Sequence, residues 1–331
     1  SFQMKKIISL FLAFAVIFMI SGCGNTGVPD NTPPAGTTSA APSPQQSKTA
    51  GQDQTKAFPV TVSDSRDAEV TFEKSPEKVI SLMPSDTEIL YALGLGDKII
   101  AVSQYCNYPE DTRNKRKLPT GEQLDIEALI GLQPDVVFIG KMSAVEDQIN
   151  QLEEAGIKVI VTEANKLDET YEIIRLMGIV MGRGNEAENI VKTMQESFDE
   201  IREQVKGKTP KTVYVEVSPL QYGLWSCGEN TFVQELIDII GAKNIFDDME
   251  GWAAVSEEQV LERDPDIILT TASPLTGIED PVGEISSRPN WSDLKAVRNK
   301  RVIMLDNDMI TRPGPRLLDA AKELVKAVYG E

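Results

Sequence analysis

The chain has 331 residues, with 51 Asp and Glu against 33 Lys and Arg, a net charge of −18, and no histidine. The acidic balance argues against nucleic acid as a partner. The missing histidine removes Ser-His-Asp and Cys-His catalysis, imidazole metal sites and the commonest general base. No nucleophile–base pair or metal-ligand cluster replaces them, so the chain does not read as an enzyme, and no cofactor or resident metal is expected.

Ser1-Phe2-Gln3 ahead of Met4 read as an expression scar. Lys5-Lys6 and the apolar run 7–20 read as a secretory signal, too short for a confident membrane span. The run closes on Ile20-Ser21-Gly22-Cys23, which resembles the lipobox of bacterial lipoproteins and implies lipidation of Cys23 and anchoring on the extracytoplasmic face of the membrane. Residues 24–57 are nearly all Gly, Asn, Thr, Pro, Ser, Ala, Gln and Lys. Such a segment cannot bury enough surface to offset its ordering entropy and reads as a tether.

The folded part is expected from Phe58 onward, long enough for two lobes with a core each. Loose alternation at Val60, Val62, Val70 and Phe72 around a polar turn predicts a hairpin. Residues 78–82 predict a buried strand, followed by a helix with Ser85 as N-cap and Glu88 closing a capping box. Further strands are expected over 98–103, 136–139 and 157–161, with a helix over 144–155. Arg113-Asn114-Lys115-Arg116-Lys117 reads as a solvated loop. Strands alternating with helices predict a parallel sheet with right-handed crossovers.

Residues 168–206 break that rhythm with two helical stretches around Gly182-Arg183-Gly184. Ile190, Met194, Phe198, Ile201 and Val205 form one apolar stripe on a long connector helix. A second lobe follows: a strand over 212–217, a loop over 218–230, a helix over 231–240, strands over 267–270 and 302–305, and a closing helix over 315–328. The boundaries are 1–22 for scar and signal, 23–57 for lipidated Cys and tether, 58–167 for the N-terminal α/β lobe, 168–210 for the connector helices and 211–331 for the C-terminal lobe. Cys106 and Cys227 fall in different lobes and are expected to be free thiols.

One template occurs in both lobes. Asp125 and Ser256 each stand at a capping position, with Glu127 and Glu258 two residues later. Pro134-Asp135 and Pro265-Asp266 follow at the same interval, each running into an apolar β-branched strand. Glu in a helix's first turn is favourable against the macrodipole by about 0.3–1 kcal/mol. Glu146-Asp147, Glu153-Glu154 and Asp247-Asp248 lack the spacing of a calcium loop and read as solvated faces.

The segment from Val79 through Pro84-Ser85, the template at 125–137, Gly228-Glu229-Asn230-Thr231-Phe232, and Gly241-Ala242-Lys243-Asn244-Ile245-Phe246 resemble the substrate-binding proteins of iron-siderophore, haem and cobalamin ABC importers. The resemblance covers the whole folded region. It implies an α/β protein of two Rossmann-like lobes joined by a single long connector helix, with ligand in the cleft between lobes and limited hinge motion. Tyr105 with Tyr108-Pro109, Trp252 ahead of Val255-Ser256, and Arg312 ahead of Pro315-Arg316 look most like the cobalamin binders of that family. Gly121 departs from them, since a tryptophan is expected near it, and leaves room for a bulkier ligand.

The resemblance implies capture of cobalamin or a related corrinoid and its delivery to an ABC permease dimer. A flat, largely apolar macrocycle wants aromatic walls and a few polar edge contacts. Tyr105, Trp252, Trp225 and Tyr222 are candidate walls, with Ser85, Asn107 and Arg312 at the edge. Each aromatic has a competing reading as core. Glu127 and Glu258 are implied to dock on arginines of the paired permease subunits, a role compatible with helix capping and suited to a two-fold partner. The alternative keeps the receptor and changes the cargo to a ferric siderophore or haem; haem without histidine would need Tyr or Cys ligation.

Overall fold

The structure, a computed structural model, describes residues 58–121, 123–272 and 277–330. The signal, Cys23 and the tether lie outside the described residues. The chain opens on a hairpin of β1 (Val60–Ser63) and β2 (Glu69–Phe72) whose buried positions alternate, as the pattern predicts. The first lobe continues with β3 (Val79–Ser81), α1 (Pro84–Ala92), β4 (Ile99–Ser103), β5 (Arg116–Leu118), α2 (Ile126–Gly131), β6 (Val136–Gly140), α3 (Glu146–Glu154) and β7 (Lys158–Thr162). Its five strands are all parallel, in the order β5-β4-β3-β6-β7. β6 is buried along its whole length, as expected of a central strand covered on both faces.

Helices α4 (Leu167–Val180) and α5 (Gly184–Val205) form the predicted pair. The buried stripe of α5 is Ala187, Val191, Met194, Phe198, Ile201 and Val205, alternating four and three residues apart; Ile190 lies at its margin, partly buried. The second lobe contains β8 (Thr212–Glu216), β9 (Trp225–Cys227), α6 (Phe232–Ile239), β10 (Lys243–Asn244), β11 (Trp252–Ala254), α7 (Glu257–Arg263), β12 (Ile267–Thr270), α8 (Pro281–Ser286), α9 (Lys295–Arg298), β13 (Val302–Met304), α10 (Asn307–Thr311) and α11 (Leu317–Tyr329). Its parallel sheet runs β10-β8-β12-β13, beside an antiparallel ribbon of β9 and β11.

The two copies of the template fold alike. Asp125 accepts from the Ala128 amide and Ser256 from the Gln259 amide, so both helices are capped as expected, and Glu127 and Glu258 occupy the same helical position. Gln133 and Asp264, the residues before the two prolines, both take left-handed backbone, at φ 51° and 40°. The proline ring disfavours helical geometry in the residue before it, so the helix must stop there. Asp135 then accepts from the amides of Glu77 and Lys78, and Asp266 from that of Thr212. Each template carboxylate thus pins the start of the neighbouring strand, β3 or β8, and fixes its register against β6 or β12.

Three local expectations are corrected. Ser85 does not cap α1: the helix begins at Pro84, Met83 is its N-cap without a side-chain bond, and Glu88 turns to other partners. Arg116 and Lys117 do not lie in a loop but on β5, a short edge strand whose charged side chains face water. Trp225, expected in a loop, stands on β9.

A single hydrophobic cluster runs from the hairpin through α4, α5 and α6 to α11, beneath both lobes. Each lobe adds its own satellite core, aliphatic in the first and aromatic-rich in the second. Cys106 and Cys227 are buried free thiols. Burial pushes the Cys227 thiol up to about 12, so it stays protonated and inert.

Candidate ligand cleft and docking face

In an open parallel sheet, ligands bind beyond the carboxyl ends of the strands. Large apolar side chains stand exposed at those ends in both lobes. Tyr105 follows β4 and is 60% exposed, and Met142 follows β6 at 77%; in the second lobe Tyr222 follows β8 at 47% and Met304 ends β13 at 55%. Covering the exposed part of such a group recovers a share of full burial, worth about 1.5–3 kcal/mol, which a bound apolar cargo would supply.

Tyr105, Asn107 and Arg312 are brought together. The Arg312 guanidinium donates to the Asn107 side-chain oxygen at 2.8 Å, to the Tyr105 carbonyl at 3.2 Å and to Glu88 at 3.1 Å. Asn107 also donates to Asp308 at 2.7 Å. Glu88 accepts from Arg316 at 3.3 Å through its other oxygen, and the Arg316 guanidinium lies 3.9 Å over the Tyr108 ring. Arg312, Arg316 and Asp308 come from the chain after β13, and Glu88, Tyr105, Asn107 and Tyr108 from the first lobe, so this network joins the lobes. Burial pushes the Glu88 carboxyl up, while the two guanidiniums pull it down. A second junction binds the lobes independently: the Phe232 amide donates to the Asn165 carbonyl and the Leu167 amide to Glu235, both at 2.7 Å.

Trp225 and Trp252 share one face of the β9–β11 ribbon. Trp252 pairs with Cys227 and Trp225 stands two residues from that Cys, which makes the two indoles diagonal neighbours. Both are half-buried, and Trp252 meets Phe232 edge-on with ring centroids 5.9 Å apart. Trp252 thus combines a core contact with some remaining exposure. Tyr222 lies in a short helical turn at the same edge of the lobe. Ser85 is buried in the first turn of α1, with Gly314 packed toward its carbonyl.

Sequence patterns did not single out Met142, Met304 or Asp308, and did not pair Glu88 with Arg312 and Arg316. For Met142 the signal was present: a long apolar residue just past a strand's carboxyl end, flanked by Lys141 and Ser143, whereas Met304 sits within the apolar run 302–305.

Glu127 and Glu258 are both exposed. A helix feeding a parallel strand runs against it, so the first turns of α2 and α7 stand at the carboxyl edge of each sheet, the edge that carries Tyr105 and Tyr222. Ile130, one turn from Glu127, adds an exposed apolar group. The Trp291 indole N–H donates to Glu257 at 3.0 Å and braces the first turn of α7. Among the described residues no group of His, Cys, Asp and Glu is arranged to hold a metal ion, and no helix is long and apolar enough to cross a membrane.

The family model described as periplasmic binding protein matches residues 79–309. An uncharacterized ABC transporter substrate-binding lipoprotein of Bacillus subtilis is 35% identical over 98% of both chains. A possible iron-binding, periplasmic solute-binding protein from Staphylococcus epidermidis is 33% identical and superposes with a TM-score of 0.66 over 77% of this chain and 100% of its own. The periplasmic vitamin B12 binding protein of Vibrio cholerae is 26% identical, with a TM-score of 0.63 over 77% of this chain and 97% of its own.

Proposed function

This chain belongs to the periplasmic binding protein family, and from that premise we propose that it is the lipid-anchored, extracytoplasmic receptor of an ABC importer, with cobalamin or a related corrinoid as cargo. Relatives of this kind bind and deliver solutes rather than transform them. The observation that carries the cargo reading is the set of exposed apolar groups Tyr105, Met142, Tyr222 and Met304 at strand ends of both lobes, together with Arg312, beside Tyr105, and Arg316, both already paired with carboxylates. A flat macrocycle with amide arms buries apolar faces there and meets Asn107, Ser85 and Arg312 at its edge. Trp225 and Trp252 close the second lobe's side. Haem with its two propionates, or an anionic ferric siderophore, brings negative charge that Arg312 and Arg316, already paired with Glu88, do not balance.

The lobes of this receptor are residues 58–167 and 211–331, joined by the helices of 168–210. Lipidation of Cys23 and the tether to residue 57 keep the receptor near its permease. Glu127 and Glu258, at equivalent places in the two lobes, meet the two permease subunits.

Calorimetric titration of the purified chain in parallel with cyanocobalamin, cobinamide, haem and a ferric siderophore tests the cargo. One-to-one corrinoid binding at micromolar or better is expected, and Trp252→Ala should weaken it at least tenfold, since aromatic packing adds about 0.5–1.5 kcal/mol to burial. Heat with a ferric chelate alone would replace the cargo and keep the receptor.

A further inference from the structure

Glu88 has no part in capping its helix, yet it is a carboxylate only 5% exposed in the wall between the lobes. Its two oxygens are divided between two guanidiniums of the opposite lobe, Arg312 at 3.1 Å and Arg316 at 3.3 Å. The side chains of those arginines are themselves 13% and 14% exposed. Asp308 adds a second carboxylate to Arg312 at 3.3 Å. Two negative and two positive groups make the cluster neutral. Arg312 touches the loop that presents Tyr105, so this neutrality is established where cargo meets the first lobe. Lys117 adds one ammonium nearby, bonded to the Cys106 carbonyl.

We infer that Glu88 is the specificity-determining residue of the cleft, the internal counter-anion that occupies Arg312 and Arg316 and thereby excludes cargo bearing carboxylate or other anionic arms. The physical basis is competition. In a poorly hydrated wall a guanidinium attracts any nearby anion strongly, and a carboxylate fixed by the fold holds that place before cargo arrives. An anionic arm must displace Glu88 or approach it and Asp308 as a like charge, and either costs affinity. An arm ending in an amide meets no such penalty. Removing the Glu88 charge while keeping its shape leaves the cluster with one net positive charge facing the cleft.

The inference rests on the corrinoid reading, and the test separates the two. Parent and Glu88→Gln are titrated with dicyanocobinamide and dicyanocobyrinic acid, macrocycles of one shape whose arms end mainly in amides or in carboxylates, and with haem dimethyl ester and haem as a second pair. The parent should prefer the amide corrinoid at least tenfold, and Glu88→Gln should reduce that preference at least tenfold, chiefly by gaining affinity for the acid. Glu88→Asp should keep the parent's preference. Equal binding of the pair by the parent, or an unchanged ratio in Glu88→Gln, overturns the assignment. Binding of the porphyrins without the corrinoids would end the corrinoid reading, and the ester-to-acid ratio would then decide the charge inference by the same criteria. Silence with all four probes overturns both. Should Glu88→Gln fail to fold, Asp308→Asn lowers the anionic charge at the cluster's more exposed edge and must move the ratio the same way, by a smaller factor.

Discussion

One carboxylate in each lobe is buried to 1% exposure, Asp86 and Glu216, and these two resolve the cost in opposite ways. In the first, Asp86 is 1% exposed and accepts from the Thr162 hydroxyl at 2.6 Å, with no ion pair. Desolvation pushes it up to about 7. In the second, Glu216 is also 1% exposed but receives both terminal nitrogens of Arg288, at 2.8 and 2.7 Å, and the Tyr214 hydroxyl at 3.1 Å. Arg288 continues to Glu284 and stacks 4.5 Å over the Trp291 ring. Asp86 approaches neutrality, whereas Glu216 is kept paired. The shared template sets strand register and helix ends in both lobes, and the interiors were left free to diverge.

The largest effect should come from breaking the pair. Arg288→Ala leaves Glu216 buried without its cation and should cost about 3–5 kcal/mol, seen as a lower denaturant midpoint. Without the guanidinium the Glu216 carboxyl rises further, so it takes up a proton as pH falls. The deficit should therefore be largest near and above neutrality and shrink toward pH 5. A loss below 1 kcal/mol at pH 8 would mean that the second lobe does not depend on the pair.

Asp86→Asn should act in the other direction. A folded-state value raised from 3.8 to about 7 means that the folded chain binds a proton more tightly than the unfolded one. The stability this contributes is fully present below 3.8 and is lost as pH rises through about 7. At about 1.4 kcal/mol per pH unit, the loss amounts to a few kcal/mol. The amide variant escapes it: its unfolding temperature should match the parent's near pH 4, exceed it increasingly up to pH 7, and hold a constant lead above. An advantage that does not change with pH would show that Asp86 is not the group that titrates.

These interiors were the least legible part of the chain. The template, the hairpin, the helix pair and most of the central strands could be read because their signals are local: alternation, a cap, a proline at a fixed interval. β5 and the β9–β11 ribbon are three-residue strands, too short for alternation to register, and β5 carries two charged residues that imitate a loop. The helices between β12 and β13 were passed over because they are short and irregular. Glu88 was misread for a different reason. Its neighbours satisfy a capping-box spacing, whereas its partners Arg312 and Arg316 stand 224 and 228 residues away, where no local pattern reaches. Tyr105, Asn107 and Arg312 were each noticed separately; only folding shows that they touch.

The smallest stability effect, and the sharpest test of what the template is for, belongs to its glutamates. Glu127 and Glu258 stand at the same position of capped helices, exposed, where each gains about 0.3–1 kcal/mol from the helix dipole. Replacing both by Gln should therefore lower stability by at most about 2 kcal/mol in total and leave cargo affinity unchanged, because the caps Asp125 and Ser256 remain and neither Glu touches the interlobe network. On the proposal that each carboxylate meets its own subunit of a two-fold permease, uptake should fall severalfold in the double variant and less in either single one. If transport is retained in full, the duplicated glutamates serve their helices alone. A defect confined to one single variant would make the docking face asymmetric, and the symmetry of the template would then belong to the fold and not to the partner.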